Sequence, residues 1–215
     1  MPAQKELHFF DDDERFTEGE PDYTAYHVLF PNPEPGKVRG ESTPVYMYWP
    51  GVPERIHCYN PAMRLIAILR NPIERAYSHW QMETSRGYET LPFGDAVRTE
   101  KKRLAGANTD QRRVYSYIDR GRYPAQLKKL WSLFGRDRVL VLRNEFLRST
   151  PADVLAQVSE FLNIAPFPDM APQIVNQQDY AGAMADSDRI FLQETFAADI
   201  AVLASMLDWN LDDWY

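Results

Sequence analysis

A chain of 215 residues, 44% hydrophobic and 26% charged, is long and apolar enough to bury a sizeable core, which excludes a disordered polypeptide. Its formal net charge of −7 argues against a general nucleic-acid binder, which needs a basic footprint. Cys58 is the single cysteine, so an intrachain disulfide framework and a cysteine-based zinc site are both excluded.

Residues 1–34 hold two cations, Lys5 and Arg15, against nine acids, so the whole net charge sits in this stretch. The run Asp11-Asp12-Asp13-Glu14 is expected in a solvated loop. Met1 to Glu6 lacks the apolar stretch of a signal peptide, and the sequence has no Asn-x-Ser/Thr acceptor. No uninterrupted run of about 18 apolar residues occurs, so no membrane span is expected. Together these features point to the cytoplasm, and the length fits one domain over residues 1–215.

If Lys5-Glu6-Leu7-His8-Phe9-Phe10-Asp11 is extended, its period of two places Glu6 and His8 on one face. A carboxylate beside an imidazole is a workable acid/base pair. A terminal segment pinned by Phe9 and Phe10 is the simpler reading of the same residues. Prolines from Pro21 to Pro53 then predict turns and short strands, because proline removes ladder donors.

Arg64 and Arg70 bound the apolar run Leu65–Leu69, which fits a strand covered on both faces. Asn71-Pro72-Ile73-Glu74 is a helix start, with a cap residue and proline at the first position. Ile73, Ala76, Tyr77 and Trp80 follow at the spacing of a buried stripe, and Gly87 is a stop. A second helix runs from Pro124 through Leu127, Leu130, Trp131 and Phe134 to Gly135. Arg138 to Leu142 reads as a buried strand, Thr150-Pro151 opens another helix, and Ser187 caps a last one reaching Leu207. Strands alternating with helices predict an α/β fold with a largely parallel sheet.

Ligands in such sheets sit beyond the carboxyl ends of strands, where Arg70 and Asn71 fall. A helix N-terminus beside an arginine is an anion site by its free N–H groups and dipole, unless Arg70 merely pairs with a carboxylate. Ser78 lies on the polar face of that helix. His27, His57 and His79 have no ligand spacing to one another, so no metal is expected. Residues 86–122 carry nine cations against five acids, a segment that could face an anionic acceptor or form a solvated helix face.

In this order, Lys5–Asp11, Gly40-Glu41-Ser42-Thr43-Pro44-Val45-Tyr46, Leu69–Trp80, Gly121–Trp131, Val139–Phe146 and Leu211-Asp212-Asp213-Trp214-Tyr215 resemble successive blocks of the heparan-sulfate type sulfotransferases and their bacterial relatives. The resemblance covers essentially the whole chain. It implies a P-loop-like, three-layer α/β fold with helices flanking a largely parallel central sheet. It also implies the donor 3′-phosphoadenosine-5′-phosphosulfate (PAPS), the product adenosine 3′,5′-bisphosphate (PAP), and a hydroxyl or amine acceptor on a glycan or small molecule. By the resemblance, Glu6 matches the general base with His8 beside it, and Arg70 and Ser78 match the pair that holds the donor's 3′-phosphate.

The sequence departs from that pattern in several places. The family's 5′-phosphosulfate loop, with its strand and helix, lies upstream of Lys-Glu-x-His-Phe-Phe-Asp, so donor binding by the chain as given is expected to be incomplete. Ser42 stands where many relatives carry lysine, and Gly182–Arg189 has no clear match to the basic Lys-Gly-Arg stretch of animal members. The cysteine pair of the Golgi enzymes is missing, as expected of a bacterial-type member. Two other readings stay open: a truncated or degenerate member that binds nucleotide weakly without catalysis, and another P-loop-like nucleotide-dependent transferase. G-x-x-x-x-G-K-[ST] is absent, which disfavours the second.

Overall fold

The computed structural model describes residues 2, 4–17, 19, 21–32, 34, 35, 37–168 and 182–215. In chain order these form α1 (Tyr23–His27), α2 (Val52–Tyr59), β1 (Leu65–Leu69), α3 (Pro72–Ser85), α4 (Phe93–Leu104), α5 (Thr109–Tyr115) and α6 (Tyr123–Phe134). Then come β2 (Val139–Arg143), α7 (Asn144–Ser149), α8 (Pro151–Leu162) and α9 (Asp186–Leu207), with short 3₁₀ turns between. β1 and β2 pair directly in a small parallel sheet flanked by helices, an α/β fold.

The helix boundaries follow local chemistry. Asn71 caps α3, its Oδ1 accepting from the Ile73 N–H at 2.9 Å, and Pro72 fills the first position, where no N–H is needed. Asn108 and Gln111 form a reciprocal capping box at the start of α5. Gly87 and Gly135, at φ +78° and +80°, follow the ends of α3 and α6. Ser187 does not cap α9: Ala185 holds that position without a side-chain bond, and Ser187 lies inside the first turn.

The described residues fall into two compact units, one drawn from 1–68 with 126–172, the other from 69–125 with 173–215. The first is built on aromatic packing. Phe9, Phe10, Tyr26, Val45, Trp49 and Val52 are buried together with Ile56, Leu130, Phe134 and Val139. The Phe9 and Phe10 rings meet edge to face at 5.2 Å. This burial holds the proline-rich segment, which among its described residues contains turns and short helices but no strand. β1 alternates rather than being covered on both faces. Ala67 and Leu69 are buried, while Ile66 and Ile68 are 38% and 50% exposed. A five-residue apolar run alone does not tell a half-covered strand from a fully covered one.

In the second unit α3 packs against α4, α5 and α9. Leu192, Phe196, Ile200 and Leu203 recur at helical spacing as the buried stripe of α9. By length and composition α9 could cross a membrane, but that stripe is packed and the helix carries Asp186, Asp188, Arg189, Glu194 and Asp199. Because α3 is covered from several sides, it buries His79, Gln81 and Glu83 as well as Ile73 and Ala76. The expected stripe residues Tyr77 and Trp80 are only half-buried. Tyr77 stacks on Trp80 at 5.6 Å, and the Trp80 indole donates to the Leu91 carbonyl at 2.9 Å.

Candidate functional site

Lys5–Asp11 is not extended. Glu6 and His8 have φ of +58° and +52°, the left-handed region, which costs a non-glycine residue about 1–2 kcal/mol each. Contacts on the following residues hold this shape. The Phe9 and Phe10 N–H groups donate to the Tyr46 hydroxyl at 2.9 and 3.3 Å, and Arg55 donates to the Phe10 carbonyl at 2.8 Å. Glu41 anchors that hydroxyl in turn, accepting from Tyr46 at 3.3 Å, Thr43 at 3.0 Å and Tyr26 at 2.6 Å. Burial first, and then the Glu41 carboxylate, push the Tyr26 and Tyr46 hydroxyls far up, so both stay protonated donors.

The outcome is a relay of three side chains. Asp11 is buried, and its Oδ2 accepts from His8 Nδ1 at 2.9 Å. A carboxylate only accepts, so the proton of neutral His8 sits on Nδ1 and its lone pair on Nε2. Nε2 lies 3.6 Å from Glu6 Oε2. Glu6 and His8 thus meet as expected, though through two left-handed residues rather than a shared strand face. Asp11 was missed. The acidic run placed it in a solvated loop, whereas its spacing of three from His8 was the available signal.

Arg70 and Ser78 meet around a cavity in the second unit. The cavity measures about 230 Å³ and is lined by Arg70, Glu74, Tyr77, Ser78 and Arg189, with Gly182, Ala183 and Met184. One helical turn separates Glu74 from Tyr77 and Ser78, so all three face the same side of α3. The Tyr123 hydroxyl donates to the Arg70 carbonyl at 2.9 Å and fixes that residue's backbone. Among the described residues no carboxylate pairs with the Arg70 guanidinium.

The helix mouth itself differs from expectation. Pro72 has no N–H and Asn71 takes the Ile73 N–H, so the first donors of α3 are already used or missing. The basic side chains nearby are Arg70, just before α3, and Arg189 on α9, which both line the cavity.

The histidines outside the relay are structural. Burial lowers the His79 pKa to about 4, so the ring is neutral at ordinary pH. His27 pairs with the Tyr59 hydroxyl at 2.7 Å, and His57 packs edge to face on Phe134. Among the described residues no cluster of three or more His, Cys, Asp or Glu could hold a metal.

Much of the 86–122 basic segment is committed to ion pairs. Arg103 binds both Glu89 oxygens, at 2.6 and 3.2 Å, and lies over the Tyr115 ring. Burial opposes the Glu89 charge, but Arg103, the Leu91 N–H and Tyr117 outweigh it and keep its pKa low. Arg98 pairs with Asp188 and Arg122 with Asp199, while Lys101 and Lys102 stand exposed.

A model of the sulfotransferase domain matches residues 47–181, well over half of the chain. The chain belongs to the sulfotransferase domain family. This sulfotransferase-family chain is 27% identical over 167 residues to heparan sulfate glucosamine 3-O-sulfotransferase 5 of Homo sapiens, covering 77% of this chain and 46% of that one. To heparan sulfate glucosamine 3-O-sulfotransferase 3B1 of Homo sapiens it is 30% identical over 159 residues, 74% of this chain and 38% of that protein. The chain therefore spans less than half the length of these curated relatives. Its fold is similar to that of a sulfotransferase from Alicyclobacillus acidocaldarius, with a TM-score of 0.80 and 27% identity over 99% of this chain and 87% of that one. The matched domain contains the cavity residues Arg70 and Ser78, while Glu6, His8 and Asp11 precede it.

Proposed function

We propose that this chain transfers a sulfuryl group from PAPS to a hydroxyl or amine acceptor and releases PAP. The observation that carries this reading is the cavity in which Arg70, free of any carboxylate partner among the described residues, meets Ser78. A guanidinium fork and a hydroxyl suit a phosphate monoester, which adenosine 3′-phosphates carry. In the reaction, the acceptor oxygen or nitrogen forms a bond to sulfur as the bond between sulfur and the bridging phosphate oxygen breaks. PAP leaves with that electron pair, and Glu6 takes the acceptor's proton. His8, held by Asp11, presents the Nε2 lone pair towards Glu6, where it can share the proton that Glu6 takes. No residue of this scheme requires a metal. An amino sugar within a glycan is the acceptor class suggested by the names of the relatives.

Calorimetric titration with PAP tests the donor assignment. Arg70→Ala should weaken binding about ten- to a hundred-fold, the worth of a charge-assisted hydrogen bond, with the fold intact by circular dichroism. Equal affinities of variant and wild type would remove Arg70 from the donor site.

A further inference from the structure

Arg189 was not among the residues that the sequence pointed to, yet it lines the same cavity as Arg70 and Ser78. It reaches the cavity from the first turn of α9, and its Nη1 lies 2.9 Å from Oε1 of Glu74 on α3. Glu74 is itself a cavity residue. A carboxylate facing an anion site repels the anion unless something neutralises it. We infer that Arg189 is a second phosphate ligand of this cavity, and that Glu74 holds it in reserve while the cavity contains no anion.

Three observations support the exchange. The contact engages one guanidinium nitrogen, so the remaining donors of the fork are available to a phosphate. The pair is 41% and 37% exposed, and an ion pair so open to water contributes little, so giving it up costs little. A phosphate dianion offers Arg189 twice the charge of Glu74 and a bidentate geometry. Arg70, Arg189 and Glu74 together give the cavity lining a single net positive charge. The arriving dianion therefore draws Arg189 across, so that Arg189 and Arg70 match its charge between them, while the residual repulsion from Glu74, 37% exposed, is screened by water.

This inference rests on the donor reading, so its test is run beside wild type and Arg70→Ala by calorimetry with PAP and with adenosine 5′-monophosphate, which lacks the 3′-phosphate. Arg189→Ala should weaken PAP about ten-fold or more and leave adenosine 5′-monophosphate nearly unchanged. Glu74→Gln should do the opposite and tighten PAP about three- to ten-fold, because Arg189 is released and the repulsion is gone. Arg189→Lys should recover part of the loss. Opposite signs for the two positions are the signature. Losses of the same sign in both, as a purely structural tie between α3 and α9 would produce, overturn the inference, and so does no change in either. Failure of the wild type to bind PAP overturns the donor reading with it. Binding that depends on Arg70 but not on Arg189 overturns this inference alone.

Discussion

Asp11 alters what the pair Glu6 and His8 can do, because a buried carboxylate on Nδ1 fixes both the tautomer and the tilt of the ring. If Glu6 is the base, Glu6→Gln in a chain extended upstream to include the 5′-phosphosulfate loop should slow transfer about 10²–10⁴-fold while PAP affinity stays unchanged, as labelled-donor assays with glycan, phenol and lipid acceptors would read. At the same scale, two buried groups give the protein opposite responses to acid. His79, lowered to about 4 by burial, is accommodated neutral. Its contribution is present above its ordinary value near 6.5 and is lost as pH falls through about 4. Denaturant unfolding at pH 7.5 and 4.5 should show wild type losing about 2–3 kcal/mol more than His79→Phe over that interval. Glu100 runs the other way. Burial raises it to about 7, against the pull of the Ile118 and Asp119 N–H groups at 2.6 and 2.8 Å. Its contribution is present below about 4.5 and is lost as pH rises through about 7, so Glu100→Gln should flatten the fall in stability between pH 4.5 and 7 that denaturant unfolding would read.

Between elements, the turn before α6 packs closely against α9 and the start of α3. A Cβ on Gly121 would lie 2.7 Å from Phe196 Cζ on α9 and 3.1 Å from Pro72 Cβ at the start of α3. Gly121→Ala should therefore cost about 1–3 kcal/mol by overpacking. It should also weaken PAP binding, since Tyr123, two residues on, holds the Arg70 carbonyl. Thermal unfolding and calorimetry on the same variant check both effects. Elements written in local chemistry were legible beforehand: the Asn71-Pro72 start, the Gly87 and Gly135 stops, and the strands near 65–69 and 139–143. Features set by distant contacts were not. The left-handed turns at Glu6 and His8 depend on Tyr46 and Arg55, remote in sequence and without a glycine to announce them. The exposure of Ile66 and Ile68 depends on what covers the sheet, which an apolar run does not specify.

On the scale of the whole molecule, the chemistry is divided. Glu6, His8 and Asp11 belong to one compact unit and the cavity lined by Arg70 and Ser78 to the other. Spacing in the sequence paired Glu6 with His8 and a helix start singled out Arg70, while the resemblance added Ser78 and the roles proposed for all four. Arg189 and Asp11 came only from packing: one sits on a helix more than a hundred residues after Arg70, the other inside an acidic run. The most direct test is a crystal structure at saturating PAP. The account predicts the 3′-phosphate in the cavity between α3 and α9, its oxygens about 3 Å from the Arg70 guanidinium and the Ser78 hydroxyl. PAP bound elsewhere with that cavity empty, or a 5′-phosphate in place of the 3′-phosphate, would contradict it.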